Sequence, residues 1–132
     1  MKRGLVLTAL AVLAISAVSL SCASSGDTSG IEVRMAPIQD VKVRIGESFP
    51  PLVIVNIRGG LPDGCSTFHK AEVSRSGSTI DIKVTIQRPR DAVCTQVYGT
   101  FERNVGLGSE FTPGVIYTIN VNDTKTVTFS VK

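Results

Sequence analysis

An all-β fold is what this sequence predicts: an antiparallel, immunoglobulin-like β-sandwich of about seven to eight strands, preceded by an N-terminal signal-peptide helix. Three observations carry that expectation. Over Thr79–Gln87, Ile80, Ile82, Val84 and Ile86 alternate with Asp81, Lys83, Thr85 and Gln87, the period-two pattern of a strand with one face buried. From Ile31 onward no segment shows the 3.6-residue periodicity of an amphipathic helix. Turn residues punctuate the chain at intervals of about 8–12 residues, the spacing of sandwiches and barrels. The absence of Trp and an aromatic content of 5% argue against a true antibody-type domain, which buries a Trp in its core.

The elements follow in order. Met1-Lys2-Arg3 is a short positive region, and Gly4–Leu20 is an uncharged stretch rich in Leu, Val, Ala and Ile, closed by Ser19, Ser21, Cys22 and Ala23. This is the layout of a secretory signal peptide over 1–21. Two cleavage routes fit it. Ser19-Leu20-Ser21-Cys22 resembles the lipobox of bacterial lipoproteins, cut before a cysteine that then carries lipid, although Ser19 stands where Leu is usual. Ordinary cleavage after Ser21-Cys22-Ala23, a small-x-small pattern, leaves no anchor. An uncleaved anchor is the third alternative, because the apolar stretch reaches the lower limit for crossing ~30 Å of hydrocarbon. Residues 22–30 then form a polar tether, Ala23-Ser24-Ser25-Gly26-Asp27-Thr28-Ser29-Gly30 after the cysteine. As a flexible coil it reaches roughly 15 Å.

The domain proper is expected over 31–132, with Ile31–Met35 as an edge strand ended by Pro37. Val41, Val43 and Ile45 alternate with Lys42 and Arg44. Leu52–Ile57 is nearly continuous in apolar residues, as in a central strand covered on both faces. Ser66–Ser74 places Ala71 and Val73 on one face, and Ser76-Gly77-Ser78 turns it into the Thr79 strand. Thr95–Val105 offers Val97, Gly99 and Phe101 to one side. Val115–Val121 and Lys125–Lys132 form a terminal hairpin about Asn122-Asp123, since Asn and Asp tolerate left-handed backbone. Tyr117, following Pro113-Gly114, is placed for a hydroxyl bond at a strand corner.

The chain has three cysteines. Export permits a disulfide, and folding the hairpin about Gly77 brings Cys65 and Cys94 to the same end. Pairing them leaves Cys22 odd, which lipidation explains. Redox or zinc chemistry is disfavoured: there is no C-x-x-C, and His69 is the single histidine.

Length allows one domain. Of 14 basic residues, Lys2 and Arg3 lie in the leader, so the remainder carries 12 basic against 11 acidic groups, a net charge of +1. That balance disfavours nucleic-acid binding. No catalytic constellation is evident: His69 shares strand parity with Ala71 and Val73 and has no nucleophile or acid assigned beside it. Asp63 and Asp91 flank the cysteines and are read as turn caps rather than calcium ligands. Arg88, Arg90 and Arg103 are read as solvated arginines rather than an anion patch. Gly59-Gly60 and Gly106-Leu107-Gly108 match no phosphate-binding loop. No cofactor and no metal are expected.

The segments Leu61-Pro62-Asp63-Gly64-Cys65, Arg88-Pro89-Arg90-Asp91-Ala92-Val93-Cys94-Thr95-Gln96, Phe101-Glu102 and Pro113–Asn122 together resemble a group of small bacterial secreted lipoproteins of unknown function. These carry a DGC…RPxDAxCTQ…PGxYTVxVN pattern in a C-terminal immunoglobulin-like β domain. The resemblance covers roughly residues 50–132 and implies a fold and an extracytoplasmic address, not an activity. The chain departs from the pattern at Arg90, where the group often has a small residue, and at Asp123-Thr124, where a Gly usually closes the hairpin. The expectation is therefore an extracytoplasmic protein held to a bacterial membrane through lipid on Cys22, or secreted and soluble without it. It would have a binding or structural role in the cell envelope, with an unknown envelope protein or ligand as partner. The alternative is a protease inhibitor presenting the disulfide-braced loop 88–93, with Arg88 or Arg90 as bait and Asp91 beside them.

Overall fold

The computed structural model describes residues 30–132. The signal-peptide segment, Cys22 and the tether before Gly30 lie outside them. Among the described residues are eight strands: β1 (Ile31–Met35), β2 (Ile38–Ile45), β3 (Val53–Leu61), β4 (Thr67–Ser76), β5 (Thr79–Pro89), β6 (Gly99–Gly108), β7 (Tyr117–Val121) and β8 (Lys125–Phe129). One sheet has three strands in the order β2-β3-β6; the other holds β1, β4, β5, β7 and β8. The alternating apolar residues meet between the sheets. Val53, Val55 and Ile57 of β3 face Ile80, Ile82, Val84 and Ile86 of β5 and Ile119 and Val121 of β7 in one continuous core. The expected β-sandwich is the observed architecture.

β5 is the hub. β4 runs along one edge from Thr79 to Gln87. The other edge is shared end to end: β7 pairs with Thr79–Ile82 and β1 with Thr85–Pro89. The β5–β7 pair is parallel, which corrects the expectation of a wholly antiparallel sandwich. A parallel pair needs a crossover, and β6, in the opposite sheet, supplies it. Asn122 fills the gap between β7 and β1. Its backbone N–H donates to Ile82 O at 3.1 Å. Its Oδ1 accepts from Val84 N at 2.7 Å, and its Nδ2 donates to Val84 O and Ala36 O, both at 2.9 Å. One side-chain amide thus stands in for a missing peptide of the ladder and satisfies buried main-chain groups that need partners.

Other differences have local causes. The Leu52–Ile57 run does lie at the centre of its sheet, but only its inner face is covered by the second layer. On its outer face Asn56 Nδ2 donates to Glu102 and Asn104, and Arg58 is exposed. β3 also continues through Gly59-Gly60, because aromatic rings lie over both. An added Cβ would sit 2.3 Å from the Phe101 ring at Gly59 and 1.7 Å from the Tyr98 hydroxyl at Gly60. In β4 a register shift between Phe68 and Lys70 inserts a residue and inverts side-chain parity. His69 is therefore exposed rather than aligned with a core face, and Phe68 packs 5.4 Å from Phe101. Thr95–Tyr98 is not strand; β6 starts at Gly99, because Thr95 O accepts instead from Gly64 N.

The strands give the sandwich two poles. At one, β3 ends, β4 begins and β5 ends. At the other lie the end of β2, the β4–β5 turn, the end of β6, the start of β7 and the end of β8. An aromatic group closes the core at this second pole: Phe111 meets Tyr117 at 5.0 Å and Phe129 at 5.2 Å, with the Arg75 guanidinium 4.5 Å above Phe111. The Tyr117 hydroxyl accepts from Thr112 N at 2.9 Å, the corner arrangement expected for it and one found in immunoglobulin sandwiches. The hairpin turn holds Asn122 and Asp123 at φ 50° and 54°, so it closes without the Gly usual in the resembling group.

Candidate functional site

The first pole is built around the Cys65–Cys94 disulfide, whose Cα atoms are 5.5 Å apart. Leu61-Pro62-Asp63-Gly64 ends β3 and delivers Cys65; the loop after β5 delivers Cys94. Two further contacts fasten the Leu61–Cys65 turn to the chain from Arg88 to Thr95. Gly64 N donates to Thr95 O at 2.9 Å. Gly64 has no side chain because Thr95 Oγ1 would lie 2.0 Å from a Cβ there. The Arg88 guanidinium pairs with Asp63 Oδ2.

Asp63 is the polar centre of this brace, with 7% of its surface exposed. Its Oδ1 accepts from Cys65 N at 3.0 Å, Ser66 N at 2.9 Å and Ser66 Oγ at 2.9 Å. Burial pushes its carboxyl up, but the Ser66 hydroxyl, the Cys65 N–H, the Arg88 charge and the Ser66 N–H together hold it below the usual carboxylate value. This is the turn-capping role expected from sequence. Although Asp63, Cys65 and Cys94 cluster within 4.8 Å, both sulfurs are spent in the disulfide and both carboxylate oxygens are bonded. Asp91 is exposed and makes no bond to this cluster.

The arginines separate. Arg88 is a strut: Nη1 meets Asp63 and Nη2 approaches Cys94 Sγ at 3.4 Å. Arg103 lies 4.8 Å over the Phe68 ring. Arg103 itself is exposed, as expected of a solvated arginine, whereas Arg88 is drawn out of solvent by its pairing with Asp63. Arg90 is exposed, and its backbone N–H donates to Gly30 O at 2.7 Å. The chain preceding the domain therefore arrives at this pole, beside the braced loop. Between Arg90 and Tyr98 that loop leaves Val93 fully exposed, with Val97 and Tyr98 more than half exposed.

The opposite pole carries what sequence reasoning missed. Ser48 Oγ accepts from Leu52 N at 3.2 Å and donates to Pro50 O at 3.1 Å, and Gly46 N donates to Leu52 O at 2.8 Å. These bonds fold residues 46–52 into a tight loop that holds Phe49 fully out of the surface. Beside it is an open cleft of about 330 Å³ lined by Ile45, Glu47, Phe49, Pro51, Ser130 and Lys132. Ile116, also at this pole, is 68% exposed and Leu52 43%. The available signal was Phe49-Pro50-Pro51, an aromatic among turn residues with no alternation to pull it inward.

Residues 55–131 match the family model of the ORF11 beta-sandwich domain. The chain belongs to that family. The match runs from Val55 in β3 through β8, and takes in the disulfide, Asp63, Arg88 and the braced loop. An uncharacterized 10.2 kDa protein in the HgiCIIM 5' region of Herpetosiphon aurantiacus is 46% identical over 86 residues, covering 65% of this chain and 90% of that protein. A second from the same organism, an uncharacterized 10.2 kDa protein in the HgiBIM 5' region, is 47% identical over 76 residues, covering 58% of this chain and 92% of that protein. No solved structure matches the chain.

Proposed function

We propose that this protein is an extracytoplasmic binding module of the bacterial cell envelope, anchored through lipid on Cys22 and without catalytic activity. The observation that carries the reading is the opposition of the poles. Gly30, where the tether arrives, bonds to the loop at one end, while the exposed Phe49 and its cleft lie at the other. A domain tethered this way holds the apolar cleft away from the bilayer, facing whatever it binds. A fully exposed Phe beside a concave surface is the kind of anchor that interfaces bury. The leader, the odd cysteine and a disulfide suited to an oxidising compartment support the address. The test is a photo-crosslinking amino acid placed at Phe49 in cells. The reading expects a discrete cross-linked envelope component from that site and none from the same probe at Lys83. Equal, diffuse labelling from both contradicts it.

One observation favours the protease-inhibitor reading as a second possibility: a loop braced at Cys94 that leaves Val93 fully exposed. Arg88 is spent on Asp63, so Arg90 and Val93 are the remaining bait. Titration of trypsin-like and elastase-like proteases separates the readings, and an absence of stoichiometric inhibition removes this one.

A further inference from the structure

β1 is turned relative to the core. Its Arg34 is paired with buried Ile86 and so shares that residue's face, while Ile31, Val33 and Met35 point outward and are exposed. Exposed Ile31 follows Gly30 directly, and the fully exposed Val93 lies three residues beyond Arg90. Arg90 joins them, since its N–H bonds to Gly30 O and its side chain is exposed. Nothing in the core explains a valine held in solvent by a disulfide on the adjoining residue.

We propose that this pole is a shallow membrane contact, in which Val93 and Ile31 enter the headgroup boundary and Arg90 meets lipid phosphate. The inference rests on the lipid anchor at Cys22. From that cysteine, eight residues lead to Gly30, and the polar tether expected from their sequence has a reach of roughly 15 Å. The braced loop is therefore held at the bilayer surface, whereas the far pole lies about 33 Å away along the eleven residues of β5. The disulfide and the Asp63–Arg88 pair fix the loop beforehand, so contact does not cost the ordering of a mobile segment. Asp91, exposed next to Arg90, offsets its charge. The contact is therefore apolar first and depends little on salt or on anionic lipid. Its effect is orientation: it stands the sandwich upright and presents the Phe49 cleft outward.

The chain contains no Trp, so one introduced indole reports alone. The full-length protein carrying Val93→Trp is purified from bacterial membranes and reconstituted in phosphatidylethanolamine–phosphatidylglycerol vesicles with brominated acyl chains. Ser76→Trp, at the far pole, is treated identically, and intact mass reports acylation on the same samples. Bromines at the acyl boundary quench an indole seated ~5–10 Å into the headgroup region. The expected result is an acylated chain whose Val93→Trp emission is blue-shifted and strongly quenched, while Ser76→Trp is unaffected by the bromolipid. An acylated chain with equal, weak quenching at both sites overturns the inference and leaves the anchor standing. An unacylated chain overturns the anchor and this inference together. A blue shift at Val93→Trp that grows with protein concentration but is not quenched assigns the surface to a second copy, and also overturns it.

Discussion

Asn122 does two jobs that separate by substitution. It occupies a left-handed turn position, and its amide bridges β7, β5 and Ala36 of the β1 end. Gly accepts the same backbone conformation, so Asn122→Gly keeps the turn and deletes the bridge. With Val84 N–H left unpaired in a buried strand, the loss should be about 3 kcal/mol, near the upper cost of an orphaned buried group. Urea unfolding measures it, and a variant as stable as wild type would show that the bridge adds nothing. Asp63 makes a prediction about pH. Its carboxyl titrates below the ordinary 3.8 in the folded chain, so its contribution to stability is complete above that value and is lost as pH falls through the lowered one. The melting temperature should therefore drop on acidification below about pH 4. Asp63→Asn should melt lower at neutral pH and show a flatter acid limb. Parallel acid limbs in the two proteins would contradict this.

At the scale of elements, the braced loop and the β3–β6 contact are the informative places. The disulfide closes a loop spanning 29 residues, and removing it by Cys65→Ala with Cys94→Ala should cost roughly 3.5 kcal/mol in the chain-entropy account. Denaturant titration of the double variant against the oxidised protein measures that. Gly59→Ala drives a methyl into the Phe101 ring and should cost about 1–3 kcal/mol through overpacking. Gly106→Ala, with open space around its Cα, should be nearly neutral. Which of these elements sequence could reveal depended on locality. Thr79–Gln87 was legible because the inner face of β5 is apolar and buried throughout, while its outer face is polar and exposed at Asp81 and Lys83, even though the outward Thr85 is buried. The cysteine pair was legible because a hairpin turn brings its ends together. The inversion of parity at His69 was not legible: a bulge is one extra residue, and its cue lies in the partner strand. The β5–β7 pair was hidden for the same reason, since parallel pairing is set by a crossover through another sheet. The continuation of β3 through Gly59-Gly60, past the apolar run that ends at Ile57, was hidden because the rings that cover it, Phe101 and Tyr98, are about forty residues away.

For the whole molecule, the polarity of the sandwich organises the functional reading. The pole where Gly30 enters is hard, covalently braced and centred on an ionised carboxylate; the other offers an apolar cleft and an unsupported Phe49. Sequence disclosed the first pole through its cysteines and aspartates. It hid the second because exposure of a loop aromatic depends on the neighbours that fail to cover it. Arg88 shows the converse: read as bait, it proved to be a strut, because its acid is 25 residues away. The central claim is that this disulfide-locked sandwich is delivered across a membrane and stays on it through Cys22. Intact mass of the protein taken from bacterial membranes, with thiols alkylated before any reduction, tests it most directly. The account predicts a chain beginning at an acylated Cys22 with no alkylation at Cys65 or Cys94. A chain that retains its leader, or begins unacylated, or takes up two alkyl groups without reductant would contradict it.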